Sequence, residues 1–169
     1  MDRLRARGLT QFTSAQASAL GAGLCKGVNL LVCAPTSSGK PLIAELAAAE
    51  GARKGDKTVY LVSHRALAEE KYHLFKNEYA STSEKWLDVS IATGDRNEGN
   101  WATGILVATY EKYLAMVCAS GHVSMAGVVV VADEIQILGD DDRRPEIELL
   151  CALLRSGSPR QVVALSATV

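Results

Sequence analysis

Lys40 stands at the junction of two unlike stretches of sequence. Before it, the apolar run Leu30-Leu31-Val32-Cys33 stops at Ala34-Pro35 and gives way to the small residues Thr36-Ser37-Ser38-Gly39. After it comes an alanine-rich pattern from Leu42 to Ala52. Strand, tight loop, lysine and helix make a concavity in which backbone N–H groups meet the partial positive charge of a helix N-terminus, a setting that favours an anion. Ala34, Pro35, Thr36, Ser37, Ser38, Gly39, Lys40 and Pro41 are therefore read as a phosphate-binding loop. Against the strict pattern G-x-x-x-x-G-K-[ST], Ala34 replaces the first glycine and Pro41 replaces the hydroxyl that would ligate Mg²⁺. Taken alone, the stretch is also compatible with a Ser/Gly turn opening a helix.

A second chemical group follows the most apolar run in the chain, Gly127–Ala132, which ends in Asp133-Glu134. Carboxylates at such a place are costly unless they face a cation or a reaction. Asp133 is placed to hold Mg²⁺, and Glu134 to orient or deprotonate an attacking water. The alternative is an acidic turn leading into Gly139-Asp140-Asp141-Asp142.

The elements that must position these groups alternate along the chain. Helices are predicted over Gln11–Lys26 (Ser14 as N-cap, Gly27 closing it), Leu42–Ala52, Ala66–Tyr79, Tyr110–Ala119 and from Pro145 to Arg155. Strands are predicted over Val28–Cys33, Thr58–Val62, Val89–Ala92, Ile105–Ala108, Gly127–Ala132 and Gln161–Leu165, with Arg96–Thr103 as a polar loop. Continuously apolar strands alternating with helices imply a parallel sheet covered on both faces. Ligands of such sheets bind beyond the carboxyl ends of the strands, and the polar residues of interest all fall there.

The bulk numbers narrow the class. A chain of 169 residues with 48% apolar and 22% charged residues has globular proportions, and its length suits one domain. A net charge of −1 argues against a general polyanion-coating surface, so any nucleic-acid contact is local and shaped. Cys25, Cys33, Cys118 and Cys151 show no ligand spacing and read as reduced, buried thiols of an intracellular protein. No apolar run reaches the ~18 residues that span a bilayer, and the N-terminus lacks the pattern of a secretory signal. His64, His73 and His122 form no constellation. Trp86 and Trp101 read as packing residues.

Six stretches in order, APTSSGK, SHRALAEEK, TGD, ATYEK, DEIQILGD and LSATV, resemble the motifs of the first RecA-like domain of superfamily 2 DExH-type helicases. The branch is the one containing archaeal fork-repair DNA helicases and exosome-associated RNA helicases. The resemblance implies an α/β RecA-like P-loop NTPase domain, a parallel sheet with helices on both faces, and ATP with Mg²⁺ as cofactors. Lys40 would neutralise the β- and γ-phosphates, while Asp133 and Glu134 would serve the metal and the water. Gln16, in an N-terminal adenine-recognition-like segment over residues 1–27, would contact the base. Arg65, Thr93, Gly94 and Thr109 would touch the phosphates of one strand. Gln136 with Ser166, Ala167 and Thr168 would couple nucleotide state to strand binding.

The implied partners are single-stranded or forked nucleic acid, DNA favoured over RNA, and a second RecA-like domain in cis or in trans. No membrane is implied, and the expected location is the cytoplasm near the nucleoid, or a nucleus. The sequence ends at Val169, just after the coupling motif, so the chain alone is not expected to unwind a duplex. Departures from the family pattern are Pro41 (usually serine or threonine), Ser63 and Ser14 (each usually proline), Arg144 (usually glycine) and Gln136 (often histidine). Pro41 predicts weak Mg²⁺-dependent hydrolysis with nucleotide binding retained. Two competing readings are a degenerate, non-catalytic nucleotide- and nucleic-acid-binding module and an unrelated P-loop NTPase. SHRALAEEK and ATYEK argue against the second.

Overall fold

The computed structural model describes residues 4–5, 7–80, 88–99, 101–102, 104–119 and 125–167. The elements in chain order are α1 (Ser14–Gly21), β1 (Leu30–Cys33), α2 (Lys40–Arg53), β2 (Thr58–Val62), α3 (Arg65–Phe75), β3 (Val89–Ala92), β4 (Asn97–Glu98), β5 (Ile105–Thr109), α4 (Tyr110–Ala119), β6 (Val129–Ala132), α5 (Arg144–Ser156) and β7 (Gln161–Ser166). The strands form one seven-stranded sheet in the order β1-β7-β6-β2-β5-β3-β4. All neighbours pair in parallel except β3 and β4.

Apolar content decides position. Strands β6, β2 and β5, with no exposed residue between them, sit in the middle of the sheet. Side chains alternate along β2: Tyr60 and Val62 point to the layer of α2 and α3, Val59 and Leu61 to that of α4 and α5. In α2 the alanines Ala44, Ala47 and Ala48 are fully buried, and Gly51 lies close against Thr58 and Val129. Small residues thus bring the helix that follows the Ala34–Gly39 loop tightly onto the sheet. The expected α/β class, with helices on both faces, is what the structure has.

Several local expectations are corrected. The first helix is shorter than Gln11–Lys26. Thr13, not Ser14, is its N-cap, because Gln16 three residues on completes a reciprocal capping box with Thr13; a separate 3₁₀ turn covers Leu24–Lys26. Strand β1 is not buried: it lies at the sheet edge beside β7 alone, and Leu31 is 67% exposed. The loop expected over Arg96–Thr103 contains β4, drawn against β3 as Arg96 pairs with Glu69 and Glu98 over the face of Tyr72. The helix expected to Tyr79 changes at Lys76 into a wider π turn over Lys76–Ala80. The four cysteines are free but not buried; Cys33 and Cys118 are exposed. Trp101 packs edge-on to Tyr113 and donates to the Thr58 carbonyl, as expected of a packing residue. Trp86 and His122 lie outside the described residues.

Candidate functional site

The loop read as phosphate-binding leaves β1 at Cys33 and enters α2 at Lys40. Two left-handed residues make this turn, Ser37 at φ 73° and Gly39 at φ 88°. Gly39 is needed twice over, since a Cβ there would also collide with the Gln16 amide. The Lys40 ammonium folds over the loop, donating to the Ala34 carbonyl and, at 2.8 Å, to that of Pro35. The Ser38 hydroxyl is buried with no hydrogen-bond partner among the described residues. Pro41 sits in the first turn of α2, where its missing N–H interrupts no intrahelical bond.

Gln16 braces this loop from outside. It is 4% exposed; its carbonyl accepts from the Thr13 N–H at 3.0 Å and its amide donates to the Gly39 carbonyl at 3.1 Å. The Thr13 hydroxyl donates to the Ser38 carbonyl at 2.7 Å. A hollow of about 490 Å³ opens beside it, framed by Ser14, Ser18, Pro35 and Ser38.

The acidic pair is held from β2 and α4. Asp133 accepts from the Tyr60 hydroxyl at 2.9 Å and from the Glu134 N–H at 3.0 Å. Its main-chain N–H donates to the Leu61 carbonyl, and its carbonyl accepts from the Tyr110 hydroxyl at 2.7 Å. Burial pushes the Asp133 carboxyl above the usual range, opposed by the Tyr60 hydrogen bond and the charge of Lys71. Glu134 takes a left-handed backbone at φ 55° and accepts from the Ser63 hydroxyl at 2.6 Å.

These two constructions meet in one cleft of about 220 Å³. Thr36, Lys40 and Pro41 line it together with Asp133, Glu134 and Lys71. The carboxylate of Asp133 keeps lone pairs beyond its two hydrogen bonds. One carboxylate with substrate phosphates and waters is an ordinary Mg²⁺ environment, so the residues fit a metal–nucleotide pair with one protein oxygen fewer than the strict pattern provides. Gln136 and Ala167 line the same cleft, and the Ala167 N–H donates to the Gln136 side chain at 3.1 Å. Ser166 precedes Ala167 at the end of β7, where its carbonyl accepts from the Ala34 N–H. Thr168 lies outside the described residues.

A second cleft of about 470 Å³ is lined by Ser63, His64, Arg65, Gly94, Thr109 and Lys112, among others. Arg65 pairs with Asp95 and lies flat enough on Gly94 that a Cβ there would come within 2.6 Å of its guanidinium. The Thr109 hydroxyl accepts from the Lys112 N–H and so caps α4. Thr93 is buried, and its hydroxyl accepts from the Arg96 N–H to shape the turn; it does not line the cleft.

Sequence reasoning missed Lys71, Tyr60, Tyr110 and Arg143, and noted Ser63 only as a departure from the family pattern at a strand end. Lys71 is 9% exposed and falls on the stripe Ala68, Lys71, Tyr72, Phe75, so a lysine interrupting a buried helical face was the available signal. Tyr60 was legible as the sole polar group in the middle of an apolar strand. Arg143 joins Glu111 to the Ser63 carbonyl, a long-range meeting with no local signature.

Comparison with known proteins adds to this geometry. A profile of DEAD/DEAH box helicases matches residues 13–169. An ATP-dependent DNA helicase Hel308 of Pyrococcus horikoshii is 38% identical over 98% of this chain, which spans 23% of that protein. The Hel308 of Methanocella arvoryzae is 39% identical over 96% of this chain and 23% of its own length. The chain thus spans about a quarter of the length of these curated relatives. Among solved structures, the Mycobacterium smegmatis helicase Lhr bound to ssDNA and AMP-PNP superposes with TM-score 0.77 at 25% identity, over 98% of this chain and 24% of that one. A hypothetical ATP-dependent RNA helicase from Sulfolobus tokodaii gives 0.72 at 20% identity over 99% and 50%, a likeness of fold.

Proposed function

The chain belongs to the DEAD/DEAH box helicase family, and from that premise we propose that it is the ATP-binding motor domain of a nucleic-acid helicase that grips a single DNA strand. The observation that carries the proposal is the cleft shared by Lys40, Asp133 and Glu134. A loop lysine facing two carboxylates supplies one cation for phosphates, one carboxylate for a metal and one for a water. Bound Mg²⁺ would draw charge from the β- and γ-phosphates during hydrolysis.

In this reading Lys40 leaves the Ala34 and Pro35 carbonyls for the phosphates, and the unpartnered Ser38 hydroxyl supplies a further donor. Gln16 holds the loop open to the nucleotide through Gly39, with the hollow beside α1 as room for a base. Asp133 holds the metal, fixed in direction by Tyr60, and Glu134 takes the proton of the attacking water. Arg65, Gly94 and Thr109 bind strand phosphates without reading sequence, as a translocating protein requires, and Thr93 shapes the turn that presents Gly94. Gln136, bonded to Ala167 next to Ser166, and Thr168 beyond them carry the nucleotide state toward the strand. A second RecA-like domain, in cis or in trans, would supply the arginine that completes hydrolysis.

The test is an equilibrium titration of the chain with a fluorescent ATP analogue, with and without Mg²⁺, and with a labelled oligodeoxynucleotide. The reading expects nucleotide binding displaced by ATP, and strand binding that weakens steeply with salt and ignores base sequence. A chain that binds neither ligand contradicts it, and an oligoribonucleotide bound in preference to DNA overturns the choice of strand.

A further inference from the structure

Ser63 belongs to both clefts at once. It ends β2 on the rim of the strand cleft, beside Arg65, Gly94 and Thr109. It is 6% exposed, and its hydroxyl donates at 2.6 Å to Glu134, which lines the nucleotide cleft. Its carbonyl is pinned in turn: Arg143 donates to it at 2.7 Å and, from the same guanidinium, to Glu111 of the strand cleft at 2.8 Å. Glu134 at φ 55° has little backbone freedom, so the Ser63 bond sets where its carboxylate points.

We propose that Ser63 is a positioning residue through which a strand in the rim cleft acts on Glu134 and thereby on the bound nucleotide. The proposal rests on the functional reading above. A hydroxyl has one proton, which it gives either to Glu134 or to a phosphate oxygen arriving in the rim cleft. With the rim empty, Ser63 holds the Glu134 carboxylate toward the end of β2. A strand phosphate takes that proton, and the carboxylate, which already lines the nucleotide cleft, is released to turn within it. The two ligands are then coupled, and each changes the affinity of the other by the same factor. Proline at this position has no hydroxyl and no such link, so the device belongs to chains with a hydroxyl here.

The experiment measures the affinity of the chain for a fluorescent ATP analogue in Mg²⁺, without and with saturating oligo-dT, for the wild type, Ser63→Ala and Ser63→Thr. The wild type is expected to change affinity by about 5-fold or more on strand binding. Ser63→Thr, which keeps the donor, is expected to match it, and Ser63→Ala to fall below twofold at a comparable melting temperature. Should Ser63→Ala not remain folded at the assay temperature, Ser63→Cys, a weaker donor of similar size, is expected to show a reduced factor. The proposal is overturned if Ser63→Ala keeps the wild-type factor, if Ser63→Thr loses it, or if the wild type binds both ligands without coupling. A wild type that binds neither nucleotide nor strand would instead overturn the underlying reading, and the proposal with it.

Discussion

The side-chain amide of Gln16 donates to the carbonyl oxygen of Gly39 at 3.1 Å, so the first helix grips the phosphate loop at the residue before its lysine. Gln16→Glu breaks that contact and sets a buried carboxylate against the Gly39 carbonyl. It keeps the acceptor for the Thr13 N–H and removes the donor to Gly39. Nucleotide affinity is expected to fall by about tenfold or more, since a lost hydrogen bond of ~1 kcal/mol is joined by the repulsion of the new charge. Titration with a fluorescent ATP analogue checks this; unchanged affinity would mean the loop holds its shape unaided.

Pro41 makes the opposite kind of prediction. Pro41→Thr restores a hydroxyl beside Lys40 and is expected to tighten nucleotide binding severalfold in Mg²⁺ while leaving it unchanged in EDTA. The same change frees the unfolded chain and lowers stability by about 0.5–1 kcal/mol. Paired titrations and urea unfolding measure the two effects, and equal gains with and without Mg²⁺ would contradict the metal role.

How much of this was legible in the sequence depends on the distance over which each feature is specified. The loop before Lys40 and the pair after β6 were readable because each is set by its own neighbours, and the rule of strand ends placed both on one rim. The capping box of Thr13 and Gln16 was equally local, but the adjacent Ser14 offered a competing hydroxyl. The run Leu30–Cys33 read as buried because composition does not say which strand becomes an edge; that follows from the order β1-β7-β6. The bond between Ser63 and Glu134, and the reach of Lys71 into the cleft, join residues distant in sequence, and only the packed sheet brings them together.

Tyr113 offers a prediction about pH. Its hydroxyl is buried with no hydrogen-bond partner among the described residues, and burial pushes its pKa up from 10.0 to about 12. A group harder to deprotonate when folded contributes stability that is intact below the unfolded value and lost as pH rises from about 10 toward 12. Tyr113→Phe is expected to raise stability at neutral pH by about 1 kcal/mol and to shallow that alkaline decline. Urea unfolding at pH 7 and pH 11 checks both, and a destabilised variant at pH 7 would contradict the unpaired state.

Glu45 anchors α2 from below. It is buried and accepts from Arg7 and, at 2.6 Å, from the Tyr79 hydroxyl. Glu45→Gln puts an amide where two donors converge and is expected to lower stability by about 2 kcal/mol. Urea unfolding that matches the wild type would show the contact to be dispensable.

Lys40 and Asp133, which line one cleft, are proposed to serve one ligand. The direct measurement is the affinity for ATP of the wild type, Lys40→Ala and Asp133→Asn, each with and without Mg²⁺. Lys40→Ala is expected to weaken binding by tenfold or more in both conditions, and Asp133→Asn to abolish only the part that depends on Mg²⁺. Wild-type affinity in Lys40→Ala, or a Mg²⁺ response untouched by Asp133→Asn, would contradict that proposal.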